Sequence, residues 1–464
     1  MTIQPAAGQA TPSKYQRTVI TTARQKPIEP APAQLTITKA DVRAISALRK
    51  DAPWLARRRM EAWKAFEKLP MPSLTDDAWR RTDIRAFKWG EVVPGALEPI
   101  SKGARRVPAA LLKPLTGTKQ GGLLVMAGHT AALKLDAALK RKQVVFTDFA
   151  TATRKHADLL KKHLGKTVAA SDGKFAALAA TLGDTGLFIY IPKGVQVDLP
   201  LHSVAWLSSQ AHFSRVVIVV DDGSSVTVVH EIASPAAGAK QALHAGTVEI
   251  TVGKGAHLTF VELQSLGENV WNFTHERARV HQNGKLDWIF SAVGSRLTKN
   301  FSQIDLDGDG AGAKMSGFYF GDNEQHLDHD TQQNHNAPHT TSDLLFKGAL
   351  RGQSRSVWQG MIYVARGAQK ADGYQANRNL VLSRGARADS IPGLEILADD
   401  VRCTHGATVG QLDEEQIFYV LSRGLPRAEA EKVVVDGFFD PVLQRIPFAG
   451  VRDRLKSAIE SKMG

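Results

Sequence analysis

The sequence predicts a mainly β chain in which a solenoid of stacked parallel β-coils is flanked by helical regions at both ends. Three observations carry this. Helical periodicity is confined to residues 35–185 and to the segment after residue 413. Between them, short β-rich runs follow one another with almost no helical pattern. The runs are separated by glycine-containing turns of similar wording at a drifting spacing. A β-sandwich would give similar strands and is the structural alternative. The drift favours the solenoid, because rungs that stack on one another tolerate loops of variable length.

Residues 1–34 are polar and basic, with Pro5, Pro12, Pro27, Pro30 and Pro32, and read as a disordered tail. Residues 35–185 form a helical and mixed domain. Val42, Ile45, Leu48, Leu55, Trp63 and Phe66 recur at helical spacing until Pro70 and Pro72 end the run, and Lys174 to Leu182 reads as a further helix.

Residues 186–412 are the β core. Val216–Val220, Ser225–Val229, Val248–Val252 and Leu258–Leu263 are four of its runs. Gly223, Gly255, Gly284 and Gly310 mark turns 32, 29 and 26 residues apart, whereas Gly367 and Gly385 are separated by 18. From residue 413 to 464 the pattern returns to helix. Asp413, Glu414 and Glu415 supply the acidic first turn that a helix dipole favours, and Ile417, Phe418 and Leu421 form an apolar stripe. Gly424 ends that helix and Pro426 opens the next, so a helical hairpin closes the chain. Its stripe, with Phe418 and Leu421, must cover the solenoid's end or a partner.

The 464 residues are 43% hydrophobic and 23% charged, enough for two or three packed regions. The formal charge is +13, but residues 1–60 alone hold eleven Lys/Arg against three Asp/Glu. The excess is thus concentrated at the N-terminus, which argues against a broad nucleic-acid-binding face. No run approaches the ~20 apolar residues that cross a bilayer, and the N-terminus has no apolar secretory core. Its lack of Asp and Glu through residue 28 gives a weak likeness to an organelle transit peptide; a bacterial tail is the plainer reading. A single cysteine, Cys403, excludes an intrachain disulfide and fits a reducing, cytoplasmic setting.

Several motifs fall short of the chemistry they suggest. Asp305, Asp307 and Asp309 with Gly310 resemble the start of a calcium loop, but the twelfth position is Ser316 rather than a bidentate Glu. His326, Asp328, His329, Asp330, His335 and His339 are rich in ligands, yet neighbours on a strand point to opposite faces and cannot all converge. Asp399 and Asp400 fail the same test as a glycosidase pair, and no phosphate-binding loop is present. Cys403 and His405 pass it: two residues apart, they share one strand face and both suit a soft metal. The plain alternative is a buried cysteine beside a satisfied histidine.

The stretch Leu394 to Asp413, which contains Cys403-Thr404-His405-Gly406-Ala407-Thr408-Val409-Gly410, closely resembles the signature of the SufB/SufD family, in the wording of its SufD branch. Phe418 to Gly424, Gly437-Phe438, Trp358-Gln359-Gly360, Gln375-x-Asn377-x-Asn379 and Gly186 to Gly194 are similar as well. Ala179 departs from the family's usual Asn, and residues 1–34 have no counterpart. The resemblance implies a right-handed parallel β-helix between helical domains, acting as a non-catalytic scaffold. It further implies pairing with SufB through the β-helices, a grip on the SufC ATPase through the C-terminal helices, and possible self-pairing when alone. A transient iron–sulfur cluster would be built at the SufB–SufD junction, with His405, and Cys403 beside it, as candidate ligands. No nucleic-acid or membrane partner is implied. A carbohydrate-active β-helix enzyme and a nucleic-acid binder recruited by the basic tail are the competing functions.

Overall fold

A computed structural model describes residues 35–94, 97, 107–113, 120–128, 130–236, 238 and 240–464. The tail over residues 1–34 lies outside the described residues.

Two helices open the described chain. α1 (Lys39–Arg49) begins with a capping box in which the Thr38 side chain accepts from the Asp41 backbone and the Asp41 carboxylate accepts from Thr38 in return. α2 (Pro53–Lys68) takes Pro53 in its first turn and turns Leu55, Ala62, Trp63 and Phe66 inward. A mixed layer follows: β1 (Gly122–Ala127), β2 (Thr130–Leu135), α3 (Ala137–Arg141), β3 (Val145–Asp148), α4 (Phe149–Lys155), α5 (Ala157–His163) and α6 (Lys174–Leu182). The bounds of α6 are those read from the sequence.

From residue 185 the chain winds as a parallel β-solenoid of about eight turns, each giving one strand to each of two sheets. In order the turns are β4 (Thr185–Ile191) with β5 (Leu201–Trp206), β6 (Ala211–Val220) with β7 (Ser225–Ala233), β8 (Ala242–Val252) with β9 (His257–Ser265), and β10 (Val270–Val280) with β11 (Lys285–Ala292). They continue as β12 (Leu297–Leu306) with β13 (Gly312–Gly321), β14 (His326–His335) with β15 (Thr341–Leu350), β16 (Arg355–Val364) with β17 (Asp372–Val381), and β18 (Arg387–Ile396) with β19 (Arg402–Gly410). Parallel pairing between successive even strands and between successive odd strands excludes the sandwich. Inward side chains such as Phe260, Trp288, Met315 and Trp358 stack into one core along the axis.

The corner glycines explain both the regular and the irregular spacings. Gly223, Gly255 and Gly310 sit at one corner with φ of 63°, 61° and 70°, where a side chain would be strained. His339 takes the same left-handed corner with φ 55°, so that turn has no glycine to announce it. Gly385 lies at the other corner, between β17 and β18, which is why its interval from Gly367 is short.

Helices cover the outsides of both sheets. Phe175 of α6 stacks on Phe273 of β10 with centroids 3.9 Å apart, and Trp79 and Trp89 join them. On the other sheet, Phe318 and Phe320 meet Phe439 of α8 (Arg427–Leu443), beside α9 (Ala449–Met463). The C-terminal region is therefore three helices, α7 (Glu414–Leu421), α8 and α9, rather than a hairpin, and Pro426 is the residue just before α8.

The two ends of the solenoid differ. At the start, β1 pairs with β5 and is itself covered by antiparallel β2, while β3 pairs antiparallel with β4. At the finish, β18 and β19 are the last strands of their sheets, and neither contains a buried residue.

Candidate functional site

Cys403 and His405 lie on β19 at this open end. The register pairs Gly373 with Cys403 and Gln375 with His405. Followed inward, the His405 column runs through Gln375, Leu344, Met315, Trp288 and Phe260, so both residues face the interior of the coil at its mouth. His405 is exposed and Cys403 half-buried.

The thiol sits over a glycine for a steric reason. A Cβ on Gly373 would stand 3.2 Å from Cys403 Sγ and 3.3 Å from His335 Nε2. Burial pushes the Cys403 thiol above its usual pKa, partly offset by a hydrogen bond from the Gly373 backbone. His335 beneath it is buried and held on both sides, Nδ1 2.8 Å from Thr340 Oγ1 and Nε2 2.9 Å from Ser342 Oγ. Burial lowers its pKa to about 4, so it is neutral.

The interior changes character toward the mouth. On β17 the inward positions are Gly373, Gln375, Asn377 and Asn379, and the three amides are fully buried. Asn379 Nδ2 donates to Asn377 Oδ1 at 2.7 Å, and Tyr319 donates its hydroxyl to Asn379 Oδ1 at 2.5 Å. Gln375 Nε2 donates to the carbonyls of Gly393 and Gly360 at 2.8 and 3.3 Å, while its Oε1 has no partner. Reading by residue type missed this polar row, because only the turn-to-turn register shows that it lies beneath Cys403 and His405.

The other ligand-rich segments scatter. Buried Lys299 on β12 donates to Asp328 and Asp330 at 2.9 and 3.0 Å, and Thr82 bonds His326 and Asp328, pinning the N-terminal region to the outer face of the sheet. His329 faces the opposite way, among Phe290, Tyr319 and Phe346. His339 pairs with Asp309 at 2.8 Å, while Asp305 binds Asn334, so the calcium-like segment is a turn. Among the described residues no group of three or more His, Cys, Asp or Glu converges as a metal site. Nor is any described helix long and apolar enough to cross a membrane.

A second feature stands beyond β19. Asp413 caps α7, and Ile417 is fully buried while its neighbour Phe418 is 71% exposed. Leu421 is half-buried one turn further on. A cleft of about 740 Å³ lies between α7 and α8, lined in part by Leu380, Tyr419, Val420, Val433 and Phe438.

Residues 204–438 match the family model for the SUF system FeS cluster assembly SufBD core domain, and residues 123–202 match that for the SufBD protein N-terminal region. The chain belongs to the SufBD family. The core match begins within β5, spans the rest of the solenoid and extends into α8. Among curated relatives, an iron–sulfur cluster assembly SufBD family protein of Staphylococcus haemolyticus is 30% identical over 444 residues, covering 92% of this chain and 94% of its own. One from Staphylococcus epidermidis is also 30% identical, and one from Staphylococcus aureus 29% over 442 residues, with the same coverage. Membership in the SufBD family links the chain to iron–sulfur cluster assembly.

Proposed function

We propose that this chain is the SufD-type scaffold subunit of a cytoplasmic SUF assembly complex. It pairs with SufB through the open end of the β-helix, and the helical domain at 413–464 holds the SufC ATPase. The iron–sulfur cluster is the cargo, built transiently where the two β-helices meet, with Cys403 and His405 contributed from this side. The chain itself carries out no turnover and has no nucleic-acid or membrane partner. In the absence of SufB the same edge is free to pair with a second copy.

One observation above all supports the reading: a Cys-x-His pair stands on the last strand of its sheet, at the open mouth of a coil whose other mouth is filled by Leu139 and Phe146. Unpaired strand edges invite another chain, and natural proteins cover them when they are to stay single. A site at such an edge is half of something. Thiolate and imidazole suit iron, and Cys403 has to lose its proton to bind it, so loading releases a proton. Exposed Phe418 and the cleft beside it give the ATPase an apolar hold.

Co-expression with candidate partners tests the proposal. A stable complex containing an ATPase and a second β-helical chain is the expected result. Isolation of this chain alone, turning over a polyuronate or retaining nucleic acid, would overturn it.

A further inference from the structure

We infer that Gln375 is a positioning residue for His405: its amide oxygen accepts the proton of one ring nitrogen, fixing the tautomer and leaving the other nitrogen free to face the mouth of the coil. The inference rests on the site proposed above and adds a residue to it.

Gln375 is an unusual occupant of its place. The column it belongs to is apolar for six turns, Leu201, Val228, Phe260, Trp288, Met315 and Leu344, before it becomes Gln375 and then His405. A buried amide is costly unless both its ends are bonded. The nitrogen end is bonded twice, to Gly393 O at 2.8 Å and Gly360 O at 3.3 Å, and this fixes which way round the amide lies. The oxygen end is left as a fully covered acceptor without a partner. A Cβ on Gly360 would stand 2.5 Å from that oxygen, so a glycine opposite is what lets the amide reach across the interior.

The register puts His405 on the same column, one strand further out, about 4.8 Å along the stacking direction. A neutral imidazole carries one N–H donor and one lone pair. Giving the donor to Gln375 commits the lone pair to the open side, the arrangement in which a second carbonyl or carboxylate orients a metal-binding histidine. Asn377 and Asn379 are satisfied by each other and by Tyr319, which leaves Gln375 as the amide of that row with a free acceptor.

The test reads the ring directly. With ¹⁵N-labelled histidine in the full chain, free of iron, His405 in the wild type is expected to hold a single neutral tautomer. Gln375→Met keeps the volume and removes the acceptor, and should release the ring to the two-tautomer mixture of free imidazole. In the assembled complex, Gln375→Met should hold roughly 10–100-fold less cluster at limiting iron, as loss of such a partner does elsewhere. A mixture already present in the wild type overturns the inference even if no variant folds, as does a single tautomer unchanged in Gln375→Met. Cluster content after His405→Ala judges the site, and the tautomer judges Gln375, so either can fail without the other.

Discussion

The two ends of the solenoid obey the same stacking rule and resolve it in opposite ways. At the start, antiparallel β2 and β3 are added to the first turn, and Leu139 of α3 and Phe146 of β3 fill the mouth of the coil as part of the core. At the finish, β18 and β19 keep their edges and leave Ile396, Leu397 and Val409 in solvent. Each rung buries its inner face only against the next. An end that is neither shortened nor covered is therefore an end meant to be continued, and the difference separates stability from assembly. Side chains near the closed end and along the interior hold the fold, and those at the open end recruit.

The largest effect that would sharpen this comparison is acid unfolding of the interior. Burial lowers His230 and His244 to about 4 and His329 to about 3, from 6.5 in an unfolded chain. With folded values depressed, the unfolded chain takes up protons first, so stability is lost as pH falls from about 6.5 toward 4. Each histidine costs on the order of 1–3 kcal/mol across that window. Melting temperature should drop steeply between pH 6.5 and 5; a flat profile would mean the interior is wetter than described.

Next comes Phe146→Ala, which opens the plug at the start of the coil and should cost about 3–5 kcal/mol by denaturant unfolding. A loss below ~1 kcal/mol would show that the plug contributes little. Smallest in stability are Val409→Asp and Phe418→Asp, expected within about 1 kcal/mol of wild type because Val409 is half exposed and Phe418 stands largely in water. Their effect lies in binding. Val409→Asp should abolish pairing with the second β-helical chain and spare the ATPase, and Phe418→Asp the reverse, each weakening its own contact more than ~30-fold. Ile417→Ala is the control for α7, losing ~2–5 kcal/mol because Ile417 is core. If Phe418→Asp unfolds the protein instead, the ATPase contact lies elsewhere.

Much of this architecture was legible residue by residue. The corner glycines gave the turn length because a left-handed corner has few other tolerated residues, and the reading stumbled where His339 takes that conformation or where Gly385 belongs to the second corner. Strand parity put Cys403 and His405 on one face, yet parity cannot say which face is inside. That depends on pairing residues about thirty positions apart, such as Gly373 with Cys403. For the same reason the amides at 375, 377 and 379 passed as wording rather than as the floor of a site. The stripe on α7 merged Ile417 with Phe418, though adjacent helical residues diverge by about 100° and here one is core and the other surface.

The central claim is that the open end carries half of a cluster-building site, and His405→Ala tests it most directly. Iron and sulfide content of the purified, anaerobically reconstituted complex should be measured beside its melting curve. The account predicts a complex that assembles and melts within a degree or two of wild type but carries little cluster; wild-type cluster content in the variant would contradict it.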